Sequence, residues 1–313
     1  MKTRIAILGI GGVGGFYGGL LASYYKNDPS IEIIFVARGD NYQVISTSGI
    51  EVYTDKEKWV GKPNLVVDHI KKAGKLDYII LATKGYDLEP VISDLKEVVD
   101  DSTVILPLLN GVEAFELLAS AFKEGQVWKG CTYIVTRLKE PGVVDNPSGR
   151  QRILFGLDKE LTPQMSFFEK ILTDAGINAL ATCDISREVW EKYILVSSSA
   201  TATTYYNSCF GGVMEHHADV MHQLLIEISS LARAKGITLS ADIVDVVEGR
   251  LKAIPYESTT SMHSDFLSGK LSNELGIMTG YIVKEAVKYG VEVPKYKEMF
   301  ENLSQRTGEK YLK

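Results

Sequence analysis

The chain has 313 residues, 45% apolar and 24% charged, enough apolar content for two cores and a length that suggests two domains. A net charge of −6 argues against nucleic acid or an anionic membrane surface as partner. Cys131, Cys183 and Cys209 are odd in number and lack C-x-x-C spacing, so they read as buried thiols in a reducing cytoplasm, without a disulfide framework or a zinc site.

Residues 5–8 form a short apolar run, Gly9, Gly11 and Gly14 make G-x-G-x-x-G, residues 13–25 suit a helix, and 31–37 read as a second buried strand. This order is a nucleotide-binding βαβ unit. A pyrophosphate must reach backbone N–H groups at the helix N-terminus, where a side chain would block it, so Gly9, Gly11, Gly12, Val13 and Gly14 are expected cofactor contacts. The end of the second strand lies beside the adenosine ribose. An acid there would hold a 2′-hydroxyl, but this chain has Arg38, 24 residues past Gly14, a cation suited to a 2′-phosphate. NADP(H) is therefore expected over NAD(H). A signal peptide or membrane anchor is the competing reading, since Lys2 and Arg4 precede an uncharged stretch. Seven glycines between Gly9 and Gly19 make a poor membrane helix, and the pattern runs straight on into a strand.

Further short apolar runs at 65–67, 78–82 and 104–108, separated by polar helical segments, extend a parallel sheet. From 131 to 156 three extended segments, with a Pro-Gly turn between them, are expected to close that sheet; a helix over 161–175 and a strand over 178–182 follow. Beyond Asp184 the period becomes helical. Val220, Leu224, Ile228 and Leu231 repeat before Gly236, and Ile282, Val283, Ala286 and Val287 before Gly290, each glycine reading as a helix stop. The expected architecture is an α/β Rossmann-type dinucleotide-binding domain over 1–184 and an all-helical domain over 185–313, with a cleft between them.

Reduction of a ketone by a nicotinamide needs a proton donor near the forming alkoxide, and an anionic substrate needs donors to hold it. Three segments qualify. LATKGYD puts Lys84 just past a strand; LPLLNGVEA ends a strand at Asn110-Gly111, a turn able to aim the amide; and DISREVWEKYILVSSS places Lys192 about two turns into a helix capped by Asp184 or Ser186. Taken singly, either lysine reads as a solvated charge and Asn110 as a turn former. His216, His217 and His222 are spaced so that they do not converge on one helix face, so no metal site is expected. His263 reads as a capping or surface residue.

In order, G-x-G-x-x-G, a strand-end Arg, T-K after a strand, N-G after the next, W-x-K opening a helical domain, and S-M-x-x-D followed by N-E-L resemble the ketopantoate reductase (2-dehydropantoate 2-reductase) family, from Ile5 to Pro294. The resemblance implies a helical domain like that of 6-phosphogluconate dehydrogenases and NADPH-dependent reduction of a 2-keto acid, 2-dehydropantoate to pantoate in pantothenate biosynthesis. It implies Lys192 as the catalytic lysine, Asn110 as the amide that positions it and meets the cofactor, and Glu274 as the acid that helps set the geometry. Ser261 matches the substrate-carboxylate contact and Lys84 a lysine of the cofactor and substrate wall.

The chain departs from the family pattern at Val196 and Ala200, one and two turns after Lys192, where the pattern has asparagines, and at Leu109, where it has glutamine. Positions i, i+4 and i+8 share a helix face, so the substrate wall is less polar than ketopantoate suggests. A reductase of a more apolar 2-oxo acid therefore stays open, as does a non-catalytic NADP(H) sensor, which retention of Lys192, Asn110 and Glu274 disfavours. The expected partner is a small 2-keto acid, with no nucleic acid and no membrane; homodimerisation is left open.

Overall fold

The computed structural model describes residues 2–85, 88–270 and 272–307. Contacts gather the chain into two compact units, one of Met1–Leu109 with Ala114–Ile185, the other of Asn110–Glu113 with Ser186–Lys313.

Among the described residues the first unit holds three sheets. β1 (Thr3–Leu8), β2 (Ile31–Val36), β5 (Leu65–Val67), β6 (Tyr78–Leu81) and β7 (Val104–Pro107) pair in parallel in the order β5-β2-β1-β6-β7. Ile5, Ile7, Ile33, Phe35 and Ile80 are buried on one face, Ala6, Ile34 and Ile79 on the other, as expected of parallel strands covered on both sides. Between these strands run α1 (Gly12–Tyr24), α2 (Gly39–Ser48) and α3 (Leu88–Leu95), with α4 (Glu113–Ala121) after β7.

The extended segments from 129 onward do not close this sheet. β3 (Ile50–Thr54) and β4 (Lys58–Gly61), which the sequence reading lacks, pair with β10 (Val143–Asn146) and β9 (Arg137–Glu140) in a second sheet. β8 (Lys129–Ile134), β11 (Gln151–Gly156) and β12 (Ala179–Ala181) form a third, with α5 (Pro163–Asp174) leading into β12. Local pattern identifies a strand but not its partner: β10 runs parallel to β3, some ninety residues earlier in the chain.

The second sheet explains the glycines of α1. A Cβ on Gly18 would lie 2.9 Å from the Phe35 ring of β2, and one on Gly19 would lie 2.4 Å from Val52 of β3. α1 is thus pressed between two sheets, and Phe16, Tyr17, Leu20 and Leu21 are buried with it. No helix of the described residues is long and apolar enough to cross a membrane. Of the three cysteines only Cys131, on β8, is buried; Cys183, in the connection after β12, is exposed, and Cys209 is intermediate, which corrects the expectation of three buried thiols.

The second unit contains α6 (Ile185–Tyr206), α7 (Phe210–His216), α8 (Ala218–Ala234), α9 (Ile243–Lys252), α10 (Ser261–Leu267), α11 (Tyr281–Tyr289) and α12 (Pro294–Thr307). Ile194 of α6, Leu224 and Ile228 of α8, and Ile282 of α11 are fully buried in one core. Gly236 and Gly290 follow α8 and α11 with φ +83° and +65°, the left-handed geometry that stops a helix at low cost only for glycine. Val287, on the apolar repeat of α11, is exposed.

Candidate active site

The nucleotide motif lies in the first unit. β1 ends at Leu8, and Gly9 turns the chain with φ +96°; a Cβ there would sit 2.8 Å from the backbone of Ala82 and Thr83. A Cβ on Gly14 would come within 2.1 Å of the Gly9 carbonyl oxygen, so α1 lies against the turn as only glycine permits. Gly11 differs: a Cβ there meets nothing within 4 Å. The N-terminus of α1 carries no side-chain cap and no acidic residue in its first turn. Backbone packed closely on both sides of one open glycine, at an uncapped helix start, fits a dinucleotide pyrophosphate. Gly12 packs near the carbonyl of Thr136, 2.9 Å from where its Cβ would be, and Val13 packs on the core.

Arg38 is exposed, two residues past the end of β2 and just before α2; its carbonyl accepts from the Tyr42 N–H at 3.3 Å, and its guanidinium makes no hydrogen bond or ion pair among the described residues. Lys84 is also exposed, three residues past the end of β6.

In the second unit the structure brings together four residues that lie far apart in sequence. Lys192, on the third turn of α6 and only 8% exposed, donates from Nζ to Asn110 Oδ1 at 3.1 Å. The Asn110 amide lies 3.4 Å from Glu274 Oε1 as donor, and the Ser261 hydroxyl donates to Glu274 Oε2 at 2.9 Å. Lysine, amide, carboxylate and hydroxyl thus form one hydrogen-bonded chain. A buried ammonium costs several kcal/mol unless polar groups and counter-charge surround it, and Asn110 with Glu274 behind it meets that need.

Each member is held by its own local structure. Asn110 precedes Gly111, whose φ of +86° turns the chain; a Cβ on Gly111 would meet Ile277 at 2.5 Å. Ser261 opens α10 behind the N-cap Thr260, whose hydroxyl accepts from the His263 N–H at 3.2 Å. Glu274 follows Asn273, which accepts from the Leu275 N–H at 2.9 Å, so the helix starts just after Glu274.

Val196 and Ala200 follow Lys192 at one and two turns of α6; Val196 is half-buried and Ala200 5% exposed. Neither offers a hydrogen bond from its side chain.

His263 differs from the sequence expectation. It is 6% exposed, with Nδ1 2.5 Å from Thr259 Oγ1 and Nε2 2.9 Å from Asn207 Oδ1. A neutral ring with the proton on Nε2 donates to Asn207 and accepts from Thr259, and burial pushes its pKa down. The other histidines have separate partners: His222 Nδ1 lies 2.5 Å from Glu248, and His217 stacks on Tyr206.

The sequence reading also missed a row of hydroxyls on α6. Tyr193, Ser197 and Thr201 recur at i, i+4 and i+8, a spacing visible in the sequence but outside the family motif.

The family model described as ketopantoate reductase PanE/ApbA matches residues 5–159, and the model of its C-terminal part matches 184–307. A solved 2-dehydropantoate 2-reductase of Porphyromonas gingivalis W83 is 31% identical, with 97% of this chain and 99% of that one covered at a TM-score of 0.87. The chain belongs to the ketopantoate reductase family. It is therefore an oxidoreductase, of a family that binds a nicotinamide dinucleotide. It is also similar, at 24% identity over 98% of its length and 100% of the relative's, to the "uncharacterized oxidoreductase YkpB" of Bacillus subtilis. A D-mandelate dehydrogenase solved with NADH and anilino(oxo)acetate shares the fold at 20% identity and a TM-score of 0.83, covering 98% of each chain.

Proposed function

We propose that the protein reduces a 2-oxo acid to the 2-hydroxy acid with NADPH, with residues 1–184 holding the dinucleotide and 185–313, together with Asn110, supplying the acid chemistry. The observation that carries this reading is the chain from Lys192 through Asn110 and Glu274 to Ser261. The hydride that adds to the keto carbon is the chemistry a bound reduced nicotinamide supplies. As the carbonyl π pair moves to oxygen, the Lys192 ammonium gives that oxygen its proton and is later recharged from solvent. Asn110 holds Lys192 by accepting from Nζ, and Glu274, which accepts from the Asn110 amide, sets that amide's orientation. Ser261, at the start of α10, turns its single O–H donor from Glu274 to the substrate carboxylate when substrate binds.

Gly9, Gly11, Gly12, Val13 and Gly14 cradle the pyrophosphate in this reading, Arg38 pairs with the 2′-phosphate, and Lys84 borders the nicotinamide side. The free, exposed guanidinium of Arg38 supports NADPH over NADH.

The first substrate to test is 2-dehydropantoate, the substrate named for the Porphyromonas gingivalis relative. A second reading, a more apolar 2-oxo acid, is favoured by the side chains of Val196 and Ala200. A substrate hydroxyl left unpaired against them loses about 1 to 3 kcal/mol. The deciding experiment is kcat/KM for 2-dehydropantoate and 2-oxoisovalerate in the wild type and in Val196→Asn/Ala200→Asn. Under the second reading the wild type prefers 2-oxoisovalerate, and each asparagine returns about 0.5 to 1.5 kcal/mol toward 2-dehydropantoate. A wild type already efficient on 2-dehydropantoate, with a double mutant that gains nothing, restores the first reading. No NADPH oxidation with any 2-oxo acid overturns both.

A further inference from the structure

The helix that begins beside Glu274 is not a regular α-helix. Residues Gly276–Gly280 form a π turn, closed by the Tyr281 N–H bonding back five residues to the Gly276 carbonyl, before α11 continues. Such a turn holds one residue more than an α turn and displaces carbonyls from the regular ladder, so it persists only where something else meets them. Two hydroxyls on α6 do so. The Tyr193 hydroxyl donates to the Ile277 carbonyl at 2.6 Å, and the Ser197 hydroxyl donates to the Met278 carbonyl at 2.6 Å. Tyr296 OH lies 2.9 Å from Ser197 Oγ, and Thr201 and Thr279 join their hydroxyls at 2.8 Å one turn further on.

All of these side chains are at most 2% exposed, so the donor hydroxyls are shielded from water, and the Ser197–Met278 bond is fully buried. Tyr193 directly follows Lys192 in α6, and its ring lies 3.9 Å from where a Cβ on Gly111, next to Asn110, would be. The hydroxyl row therefore touches the elements that carry Lys192, Asn110 and Glu274.

We propose that Tyr193 and Ser197 are positioning residues, whose hydroxyls hold the π turn in register against α6 and thereby set Glu274 opposite Asn110 and Lys192. This rests on the assignment of Glu274 to the reducing site. If the turn relaxed toward α-helix, one residue would leave it and Glu274 would rotate by about 100° relative to the helix that follows. Neither hydroxyl reaches substrate; each acts through the backbone of the π turn.

Tyr193→Phe and Ser197→Ala keep the packing volume nearly constant and remove one donor each. Two readouts test the proposal. Amide exchange across residues 274–281 should quicken at least 10-fold in either variant, with no such change in α8. Where the 2-oxo acid reductase reading holds, kcat should fall about 10-fold while the cofactor Kd stays within 2-fold. In a Glu274→Gln background the same hydroxyl deletions should then cost less than 2-fold more, because their effect passes through Glu274. Unchanged exchange over 274–281 overturns the clamp, and full additivity with Glu274→Gln overturns its route to the site, whether or not the reductase reading stands. Faster exchange in a protein that oxidises NADPH with no 2-oxo acid keeps the clamp and removes the reductase reading.

Discussion

The two units hold their candidate site residues in opposite ways. In the first, the glycine turn, the start of α1 and Arg38 come from one stretch of about thirty residues, and backbone geometry does most of the work. In the second, Asn110, Lys192, Ser261 and Glu274 come from four separate segments, and side-chain hydrogen bonds join them. A contiguous site is set by sterics and tolerates no added atom at Gly9 or Gly14. A dispersed site is set by the partners each polar group finds, so losing one member disturbs the others.

The sharpest way to break this contrast is to remove one member of the dispersed set. Lys192→Ala should lower kcat on the best 2-oxo acid by about 100-fold or more while NADPH still binds. Asn110→Ala and Glu274→Ala should lower the same step, and pairs of these changes should cost less than the sum of the singles. A Lys192→Ala enzyme with near wild-type kcat, measured by NADPH oxidation at saturation, would remove the lysine from the mechanism.

The contiguous site is probed by comparing two glycines three residues apart. Gly14→Ala places a Cβ 2.1 Å from the Gly9 carbonyl and should destabilise the fold by about 1 to 3 kcal/mol. Gly11→Ala places its Cβ in open space and should leave the Tm nearly unchanged, yet weaken dinucleotide binding. Thermal melts with and without NADPH separate the two effects; equal Tm losses for both would contradict the assignment of Gly11 to the ligand side.

Arg38→Ala should weaken NADPH binding by about 1.5 to 3 kcal/mol and leave NADH nearly unchanged, as read by titration calorimetry. Equal losses for both cofactors would mean that the 2′-phosphate is not what Arg38 meets.

The smallest expected effect concerns His263. Its pKa is lowered in the folded state by burial, so the unfolded chain binds the extra proton first as pH falls. The neutral ring's stabilisation is present above the ordinary histidine pKa and is lost as pH drops below it toward the lowered folded value. His263→Gln should flatten the fall in Tm as pH drops below about 6.5. A wild-type acid limb that survives the substitution intact would place the titration elsewhere.

The βαβ unit was legible because its signals are local: apolar runs of strand length, glycines at a turn and a charge at a strand end all follow from nearest-neighbour sterics. The helical character of the second half was legible for the same reason, through its three-to-four-residue apolar period and glycine stops. The sequence also supplied Lys192, Asn110, Glu274 and Ser261 as members of a resembled motif, but nothing in residues 82 to 164 apart tells an amide that it will bridge a lysine to a carboxylate. That bridge depends on how α6, the Gly111 turn and the helix after Glu274 pack. Packing likewise assigned β8 to β11 to two further sheets, because a strand's partner is chosen by long-range hydrogen bonding that its own pattern does not encode. The π turn belongs to tertiary structure as well: its sequence, Gly276–Gly280, carries no signal for an extra residue, and the hydroxyls that satisfy its carbonyls stand about eighty residues away on α6.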